Sequence, residues 1–195
     1  MEFWNYGALV PAYFLGAIPF AYLAGRMKKV DVRTQGSGNI GTTNAFRLLG
    51  VKYGMLVFLG DVLKGVLATV ICFIMLGPWG AVGGGLLAIL GHMRNPFFAF
   101  KPTGKGVATG LGILIVLVPK IALCVLAAFA LTVLFTRYVS LGSTAAALTA
   151  MAAAIYFAVP VPYELFIFTA AAFIIFRHRA NYQRLRQGTE PKVKF

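Results

Sequence analysis

The chain has 195 residues, of which 59% are hydrophobic and only 12% charged, with mean hydropathy +0.82. Soluble domains carry roughly a quarter charged residues, so this composition excludes an ordinary soluble fold and points to one integral membrane domain, residues 1–195. Eighteen Lys+Arg against five Asp+Glu demand anionic partners; at this hydropathy those are lipid headgroups and small phosphate compounds, and nucleic acid is set aside.

Seven apolar segments follow one another, roughly 3–25, 54–77, 79–92, 106–119, 121–136, 143–159 and 162–176. The start, MEFWNYGALV, lacks the basic n-region of a signal peptide. Phe3, Trp4 and Tyr6 are expected to anchor it at the outer interface. Pro11 and Pro19 fall inside the first span, where kinks are tolerated. The second segment holds Asp61 and Lys64, spaced i,i+3, and intramembrane charges are functional candidates by default. A self-neutralising structural pair is the equal alternative. The third and fourth segments are short and glycine-rich, so short or broken spans packed against neighbours are expected. Pro78, Pro119, Pro160 and Pro162 mark boundaries between segments. Cys72 and Cys124 sit in apolar runs without metal spacing and read as buried small hydrophobes.

Basic residues choose a side. Loop 26–52, loop 93–105, the turn at Arg137 and the tail from Arg177 together hold 16 of the 18 Lys and Arg. The positive-inside rule places all four in the cytoplasm. The expectation is an all-α seven-span bundle, N-terminus outside and C-terminus inside, with its chemistry at the cytoplasmic surface.

The first basic loop contains TQGSGNIGTTNAFR, a literal G-x-G-x-x-G at Gly36, Gly38 and Gly41. A dinucleotide fold needs a strand before it, and none is available. KPTGKGVAT is no Walker loop, because Gly106 follows Lys105. Glycines still let backbone N–H groups approach an anion. Ser37, Asn39, Thr42, Thr43, Asn44 and Arg47 add hydroxyl, amide and guanidinium donors suited to phosphate. A second cationic glycine turn, Lys101, Thr103, Gly104, Lys105 and Gly106, directly precedes an apolar segment. If that segment is helical, its N-terminus adds to the anion site. In the tail, His178 and Asn181 are i,i+3 and share a face if the last span continues as a helix. Carboxylates are too few and scattered for a Mg²⁺ site, so no metal is expected. An acyl-CoA enzyme with an H-x-x-x-x-D pair is excluded, since Phe97 and Gln183 occupy the fifth position after His92 and His178.

With the three loops assembled, the chain resembles the bacterial acyl-phosphate-dependent glycerol-3-phosphate acyltransferases (PlsY-type), essentially end to end. GAIPFAYLAGR is similar to that family's first span; GSGNIGTTNAFR, GHMRNPFFAFKPTGKGVAT and RHRANYQRL followed by GTEPK are similar to its three cytoplasmic motifs. Lys101-Pro-Thr stands where many relatives carry Lys-Gly-Gly. The resemblance implies acyl transfer from acyl phosphate to the sn-1 hydroxyl of glycerol 3-phosphate, giving lysophosphatidic acid and phosphate at a bacterial plasma (inner) membrane. It implies no cofactor, no obligatory protein partner and membrane lipid as surroundings. Lys101, Thr103, Gly104, Lys105 and Gly106 are implied to bind glycerol 3-phosphate, while Ser37, Arg47, His178 and Asn181 are implied to be needed for activity. The first loop (Gly36, Gly38, Asn39, Gly41, Thr42, Thr43, Asn44) is assigned mainly to the acyl phosphate head group. Glu190 is implied to be structural, tying the tail to a basic loop. Ser143 opens an Ala-rich segment, as a helix N-cap or a substrate contact.

Both substrates carry phosphate, which suits two cationic glycine loops. Acyl phosphate is already activated, so leaving-group charge stabilisation matters more than strong acid catalysis, and no covalent acyl-enzyme is required.

Overall fold

The computed structural model describes residues 7–193, so Phe3, Trp4 and Tyr6 lie outside the described residues. Its helices are α1 (Leu9–Ala17), α2 (Phe20–Met27), α3 (Thr42–Met93), α4 (Val107–Leu117), α5 (Pro119–Thr136), α6 (Val139–Tyr156), α7 (Val161–Arg177) and α8 (Arg179–Arg186). Among the described residues there is no strand beyond one bridge, Arg94 with Pro102. The chain divides into two compact units, Met1–Val116 and Leu117–Phe195.

In the first unit α3 is not one rod. Gly50 (φ 81°, ψ 178°) and Gly77 (φ 67°, ψ −159°) leave helical geometry in a region essentially restricted to glycine. They divide α3 into residues 42–49, 51–76 and 78–93. Both breaks turn the chain back. The Thr42 hydroxyl donates to Asp61 Oδ2 at 3.4 Å, whereas a straight helix would hold these residues ~28 Å apart. After Gly77, Gly84 lies against Cys72 and Ala68, which makes 51–76 and 78–93 a helical hairpin. The apolar segments 54–77 and 79–92 are therefore two helices joined by a turn at Gly77, with Pro78 opening the second.

Small residues let these helices approach closely. Gly16 and Gly91 bring α1 onto 78–93, where added Cβ atoms would meet Ala88 O and Tyr13 O. Gly65 and Gly112 do the same between 51–76 and α4. Between α1 and α2, Pro19 supplies no N–H and the helix breaks at Ile18. The carbonyl of Ala17 accepts from Asn95 Nδ2, and that of Ile18 from Lys64 Nζ as well as Phe20 N. α4 has 11 residues, ~16 Å, too short to cross a ~30 Å hydrocarbon core alone.

In the second unit α5 begins with Pro119 at its first turn and ends at Arg137 in left-handed conformation (φ 63°). α6 returns against it, with Gly142 facing Phe129 and Val133. Ser143 is not an N-cap: α6 starts four residues earlier, and the Ser143 hydroxyl donates to Val139 O at 2.9 Å. The Ala-rich run made Ser143 look like a start, but Val139 to Gly142 already accept helical geometry. α7 and α8 do not form one straight helix; they bend by 46° at His178.

By length and composition four helical stretches can cross a membrane, Leu9–Met27, Thr42–Met93, Pro119–Thr136 and Val139–Tyr156, and the bent pair α7–α8 makes a fifth. With the hairpin at Gly77 and the shorter α4, they account for all seven apolar segments.

Candidate active site

The first loop hangs on one buried amide. Asn44 Nδ2 donates to Val32 O (3.0 Å) and Gln35 O (3.2 Å), while Oδ1 accepts from Ser37 N (3.0 Å). Asn44, 1% exposed, therefore shapes the loop with both ends of its side-chain amide. Gly36 must be glycine here, because a Cβ would meet Asn44 Oδ1 at 2.4 Å on a left-handed residue. Gly41 precedes α3 in extended conformation, and among the described residues no side chain caps that helix end. Ser37, Thr43 and Arg47 are exposed, and Asn39 and Thr42 half-buried. Ser37, Thr42, Thr43 and Arg47 thus surround a helix N-terminus suited to an anion, with Arg47 on its second turn.

Just upstream, Asp31 holds Arg33 in a two-pronged pair (2.8 and 2.9 Å). The hydrogen bonds from Arg33 lower the Asp31 carboxyl to about 2. The Arg33 guanidinium lies over the rings of Tyr22 (5.0 Å) and Phe98 (5.7 Å). Phe98 belongs to the second loop, so both loops occupy one end of this unit.

The second loop is stitched to the end of α3. Asn95 starts a 3-10 turn, Pro96–Phe98, accepting from Phe97 N. Thr103 N donates to Met93 O at 3.1 Å, Gly104 N donates to His92 O at 3.3 Å, and the Thr103 hydroxyl also donates to His92 O. Lys101 is exposed and Lys105 half-buried, flanking this turn, and Gly106 (φ 80°) leads directly into α4. Two cationic loops, each running into a helix N-terminus, form the predicted arrangement.

Below them lies a constellation that the sequence reading missed. Asp61, Lys64 and His92 are 2%, 2% and 7% exposed. Lys64 Nζ contacts Asp61 Oδ1 (2.7 Å), His92 Nδ1 (2.8 Å) and Ile18 O (3.1 Å). The i,i+3 pair was visible in the sequence, but its third member is 28 residues away and reaches it only through the reversal at Gly77.

In the second unit, His178 Nδ1 lies 2.7 Å from Ile174 O, so Nδ1 carries a proton and fixes the ring. Asn181 Nδ2 donates to Glu190 Oε1 (2.6 Å), and Arg184 Nε to Glu190 Oε2 (2.8 Å). Burial pushes the Glu190 carboxyl up. Hydrogen bonds from Asn181 and Arg184 and the Arg184 charge outweigh it and hold the carboxyl below its ordinary range. Glu190 thus ties the tail to the basic helix α8 rather than to a loop. Lys192 over Tyr138 (5.3 Å) and Val193 N to Arg137 O (2.8 Å) hold the tail against the α5–α6 turn. Among the described residues no group of three or more His, Cys, Asp or Glu could hold a metal ion.

Apolar helices, with two donor-rich cationic loops at one end of the first unit, define a multi-pass membrane protein. The family model described as glycerol-3-phosphate acyltransferase matches residues 6–188. Glycerol-3-phosphate acyltransferase of Geobacillus kaustophilus is 43% identical over 188 residues, 96% of this chain and 95% of the relative. That of Bacillus subtilis is 43% identical, covering 96% of each. A crystal structure of PlsY (YgiH), an integral membrane glycerol 3-phosphate acyltransferase in its glycerol 3-phosphate form, superposes with TM-score 0.93. It is 40% identical and covers 97% of this chain and 96% of that one. The lysophosphatidic acid form gives 0.90 at 38% identity, covering 97% and 95%. The chain belongs to the glycerol-3-phosphate acyltransferase family and is an acyltransferase of the PlsY type.

Proposed function

We propose that the chain moves a fatty acyl group from acyl phosphate to the sn-1 hydroxyl of glycerol 3-phosphate. The observation that carries this reading is the pair of cationic glycine loops at one end of the first unit, both reaching the same buried ion pair. Two loops match two phosphorylated reactants. The related PlsY crystallised with glycerol 3-phosphate and with lysophosphatidic acid supports the acceptor and the product.

In the reaction the sn-1 oxygen attacks the acyl carbonyl carbon. The bond from that carbon to the phosphate oxygen breaks, inorganic phosphate leaves, and the hydroxyl proton passes to a phosphate oxygen or to His178. Lys101, Thr103, Gly104, Lys105 and Gly106 hold glycerol 3-phosphate. Gly36, Ser37, Gly38, Asn39, Gly41, Thr42, Thr43 and Arg47 hold the acyl phosphate head group, Thr42 through its main-chain N–H because its hydroxyl is given to Asp61, with Asn44 shaping that loop. Cations at both loops offset the repulsion of two anions and stabilise charge developing on the leaving phosphate. His178 chiefly orients phosphate, Asn181 supplies its second Nδ2 proton, and Ser143, whose own proton goes to Val139 O, offers only an acceptor oxygen. No metal, cofactor, covalent acyl-enzyme or protein partner takes part. Residues 1–195 act as one domain in a bacterial plasma membrane, with the N-terminus outside and the loops and C-terminus in the cytoplasm, as the basic segments direct.

The test is purified protein in lipid with a metal chelator, supplied with glycerol 3-phosphate and either acyl phosphate or acyl-CoA. Lysophosphatidic acid and phosphate released in equal amounts from acyl phosphate alone is the expected result. Product from acyl-CoA alone overturns the donor, and no product from either overturns the reaction and favours an organic-phosphate transporter.

A further inference from the structure

We propose that Asp61, Lys64 and His92 form one buried positioning unit that sets both phosphate-binding loops, with His92 held as its Nε2–H tautomer against Gly104. This rests on the reaction proposed above, in which both loops bind phosphate.

An ammonium has three protons, and Lys64 has three acceptors around it: Asp61 Oδ1 at 2.7 Å, His92 Nδ1 at 2.8 Å and Ile18 O at 3.1 Å. With a lysine proton aimed at Nδ1, that nitrogen is the acceptor, and the ring proton resides on Nε2. Nε2 faces the second loop. A Cβ built on Gly104 would lie 1.7 Å from it, and 2.4 to 2.5 Å from the adjoining ring carbons. The ring therefore occupies the place of a side chain at Gly104. The His92 carbonyl meanwhile accepts from Gly104 N and from the Thr103 hydroxyl. Backbone and ring of one residue thus set the height and tilt of the turn between Lys101 and Gly106.

The other end of the unit reaches the first loop. Asp61 Oδ2 accepts from Thr42, the first residue of α3 after Gly41. A pair that only neutralised itself would need neither Thr42 nor His92. Here one carboxylate and one ammonium are shared between the two loops, so displacing either loop perturbs the seat of the other.

The test compares Gly104→Ala, His92→Ala and the double variant in lipid, reading KM for glycerol 3-phosphate, kcat, and the Kd of glycerol 3-phosphate by calorimetry. Gly104→Ala is expected to raise KM and Kd tenfold or more while kcat stays within about threefold. His92→Ala is expected to raise them about tenfold, because the turn loses its backing. In the double variant the space left by the ring accepts the new methyl, so KM and Kd match His92→Ala rather than the product of both effects. If the effects multiply, or His92→Ala leaves KM and Kd within twofold and lowers only thermal stability, the positioning unit is refuted. Should His92→Ala not fold, His92→Gln and His92→Leu replace it. Gln keeps an acceptor and a donor and is expected within threefold of the wild type, while Leu fills similar volume without either and is expected to lose tenfold. Equal binding by Leu and wild type refutes the proposal. Wild-type turnover reports separately on the reaction, and Kd ratios among variants report on the positioning unit whether or not the donor is acyl phosphate.

Discussion

Replacing Glu190 by Ala removes the acceptor shared by Asn181 and Arg184. The hydrogen bond from Asn181 lies on a side chain 6% exposed and is charge-assisted, a class contributing about 1.5–3 kcal/mol. The Arg184 contact is more open, with that side chain 36% exposed, and solvent screening reduces it to about 0–1 kcal/mol. The expected loss is therefore about 1.5–4 kcal/mol. Glu190→Gln, which keeps an oxygen for Asn181, should lose about half of that. Buried Cys72 offers the assay once half-buried Cys124 is replaced by Ala: a thiol-reactive fluorophore then labels Cys72 only as the protein unfolds, and a heating ramp gives the midpoint. The sign with pH is fixed by the lowered Glu190 carboxyl. Its contribution is complete above the unfolded value of about 4.3 and fades as pH falls through the folded value. The gap between wild type and Glu190→Ala should thus be full at pH 7 and close in strong acid. Equal midpoints at pH 7, or a gap that widens on acidification, would refute this account of the tail. With Asn181 no longer held, kcat should also fall tenfold or more.

Gly77→Ala should destabilise by about 1–3 kcal/mol although space is open around it, because its backbone region is strained for any side chain; the same heating ramp checks it. Lys64→Met leaves Asp61 buried and unpaired and should cost about 3–5 kcal/mol, while Lys64→Met with Asp61→Asn should recover more than half, measured the same way. Arg47→Lys should lower kcat/KM for acyl phosphate by tenfold or more, because an ammonium cannot reproduce a planar two-pronged donor. His178→Ala should weaken glycerol 3-phosphate binding along with turnover; turnover abolished with Kd intact would instead make His178 the base.

Segment positions, both cationic loops and the Asp61–Lys64 pair were legible because hydropathy, glycine clusters and i,i+3 spacing are local signals. What escaped was long-range. Nothing near His92 announces a partner at Lys64; only the fold-back at Gly77 joins them. Asn44 carries the same composition signal as the donors around it, and only its burial marks it as the hub of the loop. The bend at His178 has no Pro or Gly to announce it, so a continuous helix was the natural expectation. Ser143 looked like a helix start because Ser is a good cap, yet in an apolar segment its hydroxyl bonds back along its own helix.

The break at Ile18 and Pro19 has a consequence for mutational study. Two members of the polar interior, Ala17 O and Ile18 O, are main-chain atoms. Scanning side chains along α1 leaves both carbonyls in every variant, so the first span would score as inert filler. The truth emerges only when the helix is mended. Pro19→Ala restores an N–H, lets α1 run on into α2 and withdraws the carbonyls into the helix ladder, leaving Lys64 and Asn95 short of acceptors deep in an apolar interior. A residue that touches no ligand, changed to the best helix former, should therefore behave like a lesion in the anion loops.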